Sequence, residues 1–387
     1  MSTATAASPS IAPDRTGGRI PELDGLRGLA ISMVVVWHYF IMVPELRGTL
    51  HWALVPFRQT WSGVDLFFVL SGFLISTILL NARSSPAFYT TFYVRRLLRI
   101  VPIYFVLLLS AMAIRYYLPA IFSGYEIIPQ WAYFLFVPNI AMAIVHSHGT
   151  GTLGITWSLG VEEQFYLLLP ACVRNLSERT LYRTALCAIP AAILLRWACL
   201  GNLFALQYQM PCRIDALALG ILCGAVLKSQ RLRRSFSEHR LIILGVLFAG
   251  FAILAIFDLD PLTSRVAAVL GLTWIAMLYA ALLLTALLAP SSLVARMSRN
   301  PALREMGQLA YFVYLFHDLI HQLMRCCVRV ELIAGLLSIS AVILLAGVSW
   351  RLFEEPLIRK GHSWRYSPAG RWKLKPMATQ RISRITP

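Results

Sequence analysis

The residues best suited to chemistry lie in the first apolar segment, LDGLRGLAISMVVVWHYFIMV, at 23–43. His38 stands deep inside it, and an ionisable side chain within a membrane span is costly and marks a functional candidate. Arg27 precedes His38 by eleven residues, almost three α-helical turns, so the two share a face about 16 Å apart along the axis. Asp24 lies one turn before Arg27 on that face. The stripe predicts proton chemistry at depth, with an imidazole near the middle of the membrane. The plainer alternative is a histidine satisfied by a hydrogen bond between helices.

The elements that must position this stripe are themselves apolar. The chain has 387 residues, 58% hydrophobic and 14% charged, with a mean hydropathy of +0.66. Soluble domains carry about a quarter charged residues, so the expected fold class is all-α: a polytopic integral membrane protein of about ten transmembrane helices with both termini cytoplasmic. The spans are expected near 24–43, 62–81, 100–118, 155–173, 184–201, 211–227, 241–257, 265–289, 308–325 and 331–352. An eleventh apolar stretch, 131–145, is short and broken by Pro138. Reading it as re-entrant or interfacial puts the strongly basic loops on one side, as the positive-inside rule requires.

The net charge of +17 then reads as cytoplasmic loop charge; nucleic-acid binding is not expected, because the basic residues do not gather in one soluble domain. Seven cysteines without a CxxC argue against disulfide scaffolding and thiolate zinc. Residues 1–20 read as a disordered cytoplasmic tail, 21–361 as the membrane domain and 362–387 as a basic cytoplasmic tail lying against anionic lipid. The aromatic loop at 118–152 (Tyr125, Trp131, Tyr133, Phe134, Phe136) fits an interfacial belt or a platform for a flat acceptor such as a sugar.

Five local patterns occur in order: LDGLRG with His38 downstream; GVDLFFVLSGFLIS at 63–76; FYVRRLLRIVPIY at 92–104; WSLGVEEQFYLLLP at 157–170; and GQLAYFVYLFH at 307–317 with FEEPLIRKG at 353–361. Together they resemble the membrane-bound acyltransferase-3 family, which includes O-antigen, exopolysaccharide, peptidoglycan and macrolide acyltransferases. Some members carry a C-terminal esterase-like domain; at this length the chain is expected to be a stand-alone membrane module. The resemblance implies transfer of an acyl group, usually acetyl, from acetyl-CoA to a hydroxyl, with no permanently bound cofactor. It also implies an inner (plasma) membrane location and a glycan, glycolipid or small hydroxylated acceptor. The family's Arg–ten residues–His pattern falls on Arg27 and His38 and makes the histidine catalytic, as general base or as acyl carrier.

Under that resemblance the other polar residues acquire roles. Arg95, Arg96 and Arg99 are candidates for the CoA phosphates, or else plain positive-inside anchors. Glu162 and Glu163 point about 100° apart on a helix and should do different jobs: orienting an imidazole, binding acceptor hydroxyls, or pairing with Arg196 or Arg213. Arg213 and Asp215, two apart, cannot pair on one face and need partners on other helices. Asp65 is similar, and these three with Trp157 are candidates for acceptor binding or for structural pairs. His317 is a candidate for the donor cavity. His317 and His321, four apart, lack an evident third ligand, so no metal is expected. The family motif often reads Ser-Leu-Ser where this chain has Ser158-Leu159-Gly160. A proton-coupled transporter or flippase without acyl transfer is the main alternative, and a scaffold whose polar residues only join helices is a third.

Overall fold

Helices dominate because long apolar runs in lipid can satisfy their backbone only internally. The structure is a computed structural model describing residues 20–43, 51–119, 128–149, 151–261 and 263–366. The expected N-terminal tail, most of the C-terminal tail and Tyr125 lie outside the described residues.

Helix α1 (Pro21–Val36) continues into a π-helical turn, Trp37–Ile41. There follow α2 (Gly63–Ala82), α3 (Phe88–Tyr117), the short α4 (Pro138–Val145), α5 (Trp157–Asn175), α6 (Glu178–Ala198) and α7 (Met210–Lys228). The chain ends in α8 (Gln230–Ile256), α9 (Leu272–Leu288), α10 (Pro301–Cys327), α11 (Glu331–Ser349), a π turn at Trp350–Glu354, and α12 (Glu355–Ser363). No strand occurs among the described residues.

Seven helical stretches among the described residues are long and apolar enough to cross a membrane; they contain α2, α3, α6, α7, α8, α9 and α11. Three further long helices, α1, α5 and α10, sit where spans were expected. They are less apolar because they carry Asp24 and Arg27, Glu162 and Glu163, and Gln308, His317 and Asp318. The 131–145 stretch is two short helices, Gln130–Phe134 and α4, broken at Phe136 (φ 57°). Neither piece reaches across a hydrocarbon core of about 30 Å.

Glycines set the tightest helix crossings, as small residues do where helices meet in lipid. α1 and α10 run the same way, and a Cβ on Gly28 would stand 1.8 Å from the Leu303 carbonyl oxygen. A Cβ on Gly307 would meet the Asp24 carbonyl oxygen at the same distance, 1.8 Å. α2 and α7 cross through Gly72 and Gly220, whose added Cβ atoms would lie 2.0 Å from Leu217 O and 2.2 Å from Val69 O. The glycines of LDGLRG and GQLAYF are thus two halves of one contact. That contact fixes Arg27 and His38 of α1 against α10.

Two buried ion pairs join helices α2, α6 and α7. Arg213 Nη2 donates to Asp65 Oδ1 at 2.7 Å, and Arg196 Nη1 lies 2.9 Å from Asp215 Oδ2. Arg196 also donates to Cys212 O (2.6 Å) and Val269 O (3.1 Å) and to the Thr273 hydroxyl. Such pairs hold register more than they add net stability.

Candidate active site

One cleft draws on all five sequence motifs. Arg27 of α1 enters it, as do Phe67 and Ser71 of α2 and Arg96 and Arg99 of α3. From α5 come Ser158, Glu162 and Tyr166; from α10 come Gln308, Tyr311 and Tyr314. The space is about 870 Å³, counting its open mouth. Helix spacing explains the selection: Ser158, Glu162 and Tyr166 are four apart, and Gln308, Tyr311 and Tyr314 three apart, so each set forms one helical face.

The cleft is basic at one end. Arg27 Nη1 donates to Asp24 Oδ1 at 3.0 Å, which holds the guanidinium in place while leaving other N–H groups available. Arg96 lies over the Tyr166 ring, 5.0 Å from its centroid. Glu162 accepts from the Ser71 hydroxyl at 2.5 Å and from the Tyr166 hydroxyl at 3.2 Å. The two glutamates do diverge: Glu162 lines the cleft, whereas Glu163 does not, and its Oε1 is buried without a hydrogen-bond partner. Neither pairs with Arg196 or Arg213, because Asp215 and Asp65 occupy those guanidiniums.

His38 lies beyond the cleft. It is seventeen residues from Pro21, about 25 Å by helix rise, so it sits toward the far end of α1 rather than at its centre. The π turn carrying it is a local widening of the helix of a kind frequent at functional sites. His38 Nδ1 donates to Val34 O at 2.8 Å. A carbonyl can only accept, so Nδ1 carries the proton and the lone pair is on Nε2.

Around His38 stands a group from α10. The His317 ring meets His38 edge-on, with centroids 4.7 Å apart. His317 Nδ1 donates to Tyr314 O at 2.7 Å, and its buried Nε2 has no hydrogen-bond partner. Tyr39 donates to His317 O at 2.7 Å and stacks on His321 at 4.3 Å. Asp318 lies within electrostatic reach of His38 and accepts from Gln322 at 3.2 Å. Asp318 is not among the site residues expected from the sequence. Its i+1 position to His317 was the available signal.

Several expected site residues fall elsewhere. Arg95 turns away from the cleft and donates twice to Trp364 O, at 3.0 and 2.6 Å, with its guanidinium 5.1 Å from the Tyr366 ring. It anchors the segment after α12 rather than lining the cleft. His317 belongs to the His38 group and not to the cleft lining. Asp65, Arg213 and Asp215 are buried in the ion-pair layer, and Trp157 covers Arg213 at 5.7 Å. None of these four lines the cleft. Gly160 admits the chain break before α4: a Cβ there would meet Asn139 Oδ1 at 2.7 Å. Among the described residues no group of three His, Cys, Asp or Glu is placed to hold a metal.

Comparison with known proteins points to the same family. The family model for an acyltransferase domain, acyltransferase-3, matches residues 20–351. The peptidoglycan O-acetyltransferase OatA of Listeria monocytogenes is 25% identical over 91% of this chain and 60% of its own length. The O-acetyltransferase OatA of Staphylococcus aureus is 26% identical over 88% of this chain and 58% of its own length. The chain therefore spans about three fifths of the length of these relatives. No solved structure matches it. With the family match covering nearly the whole membrane domain and its motifs meeting in one cleft, this chain belongs to the acyltransferase-3 family.

Proposed function

We propose that this protein is a membrane O-acyltransferase that moves an acetyl group from acetyl-CoA to a hydroxyl of a carbohydrate acceptor. The observation that carries the reading is the cleft itself, where all five motifs meet and three arginines share one end with an anchored carboxylate. Guanidiniums give planar, paired hydrogen bonds to phosphate oxygens, so Arg27, Arg96 and Arg99 suit the phosphates of CoA. The names of both relatives support acetyl as the group transferred, and that of the Listeria monocytogenes relative supports a glycan as the acceptor.

The chemistry assigns His38 Nε2 the central part. It takes the proton of the acceptor hydroxyl, whose oxygen attacks the thioester carbonyl carbon. The carbon–sulfur bond breaks, and the thiolate recovers the proton from the imidazolium to leave as free thiol. A positioned base of this kind contributes about 10²–10⁴-fold. The same nitrogen can instead first attack the thioester carbonyl carbon, breaking the carbon–sulfur bond, and then yield the acyl group to the hydroxyl, whose proton passes by way of the imidazole to the departed thiolate. Asp318 balances the charge of the imidazolium in either course. Following the positive-inside rule, we assign the arginine end to the cytoplasm and the protein to the plasma membrane, which sets His38 toward the acceptor side.

The test is acetyl-CoA turnover by purified protein in nanodiscs, followed by free thiol release with and without a glycan pool, and by labelled acetyl. Acceptor-dependent thiol release with label on the glycan is expected. Folded protein that releases no thiol would turn the reading toward transport.

A further inference from the structure

The cleft carries an aromatic wall on the side nearer the histidines. Along α2 its lining runs from Ile75 to Val64, eleven residues or about 16 Å. At the Val64 end, Phe67 meets Tyr314 with ring centroids 6.1 Å apart and nearly perpendicular. Tyr314 is fixed there because its hydroxyl donates to Ile155 O at 2.9 Å and meets the Ser158 hydroxyl. Its other side faces His317, 6.0 Å away by centroid. His317 in turn touches His38.

The wall is braced from behind. Phe68 lies beside Phe67 in the cleft lining and packs against Trp157 at 6.1 Å. The Arg213 guanidinium lies 5.8 Å from Phe68 and 5.7 Å from Trp157, and Asp65 holds it by an ion pair. The buried charge pair thus packs behind Phe68, the residue next to Phe67 on α2.

We propose that Phe67 and Tyr314 determine the length of the acyl group this protein accepts, restricting it to acetyl or a comparably short chain; this rests on the acyl-CoA donor proposed above. A thioester entering from the basic end points its acyl carbon at these rings. His38 reaches the carbonyl carbon past the edge of the wall, beside the Tyr314–His317 contact, while the acyl chain lies against the rings, so each added methylene has to displace one of them. One methylene in a shaped pocket is worth roughly 10–200-fold in discrimination.

The experiment compares acetyl-, butanoyl- and octanoyl-CoA as donors, by thiol release and by competition against acetyl-CoA. Wild type is set beside Phe67→Ala and the milder Phe67→Leu, each checked for a monodisperse elution profile. Wild type should prefer acetyl over butanoyl by 10-fold or more, and both variants should shrink that ratio at least 5-fold, Ala more than Leu. Acetyl-CoA turnover with an unchanged donor profile in both variants would overturn the chain-length role alone. Absence of turnover and competition with every acyl-CoA in folded wild type would overturn the donor reading and this role with it.

Discussion

His38 and His317 meet edge to face at 4.7 Å, although 279 residues separate them in the chain. Their helices, α1 and α10, meet at Gly28 and Gly307, ten residues before the histidines on each. If His38 carries the transfer as proposed, the ring contact makes His317 its positioning residue. Replacing it by Ala should lower kcat about 10-fold or more while leaving KM for acetyl-CoA within about 2-fold, since 1 Å of misplacement at a reacting group can cost 10²-fold. His317→Gln, which retains a side chain of similar reach, should recover part of the loss. An unchanged kcat would show that the packing of His38 does not depend on His317.

Arg27 is held by Asp24 at the cleft mouth. Lysine keeps the charge but loses the planar fork that serves carboxylate and phosphate together. Arg27→Lys should raise KM for acetyl-CoA about 10-fold, and Arg27→Ala further. Arg95→Ala should leave KM within about 2-fold, because Arg95 binds the Trp364 carbonyl instead. Steady-state kinetics with varied donor separates the two arginines.

The two glutamates should separate in the same assay. Glu162 accepts from Ser71 and Tyr166 on the cleft wall, so Glu162→Ala should lower kcat/KM by about 10-fold or more. Glu163 lies off the cleft with a buried, unpartnered oxygen, and an unmet buried acceptor costs about 1–3 kcal/mol. Glu163→Gln should keep activity within about 3-fold. Equal losses at both positions would contradict the division of roles.

Asp65 and Arg213 are each at most 2% exposed and 2.7 Å apart. Removing one partner leaves an uncompensated buried charge and costs about 3–5 kcal/mol, whereas replacing both by apolar residues is often neutral. Arg213→Met should lower the unfolding midpoint in detergent markedly, and Asp65→Leu with Arg213→Met should recover most of it. A double variant no more stable than the single would show that the pair does more than hold helices.

Much of this arrangement was legible in sequence. Apolar runs located the long helices, and the two-residue spacing of Arg213 and Asp215 correctly required partners on different helices, found at Asp65 and Arg196. The angular spread of Glu162 and Glu163 likewise implied separate surroundings. Contacts across distant segments were not legible. Hydropathy carries no information on which ring of α10 will face His38, so Asp318 and the Phe67–Tyr314 wall were missed. Arg95 was grouped with Arg96 and Arg99 by adjacency, yet neighbours on a helix point about 100° apart. The π turn has no sequence signal that separates it from α-helix.

The central claim is that His38 performs the acyl transfer. The most direct measurement is acetyl-CoA-dependent acetylation of a glycan acceptor by wild type and His38→Ala, purified side by side in nanodiscs and matched for unfolding midpoint. The account predicts loss of transfer by 10²-fold or more in His38→Ala with the midpoint unchanged. A folded His38→Ala protein that transfers acetyl at the wild-type rate would contradict it.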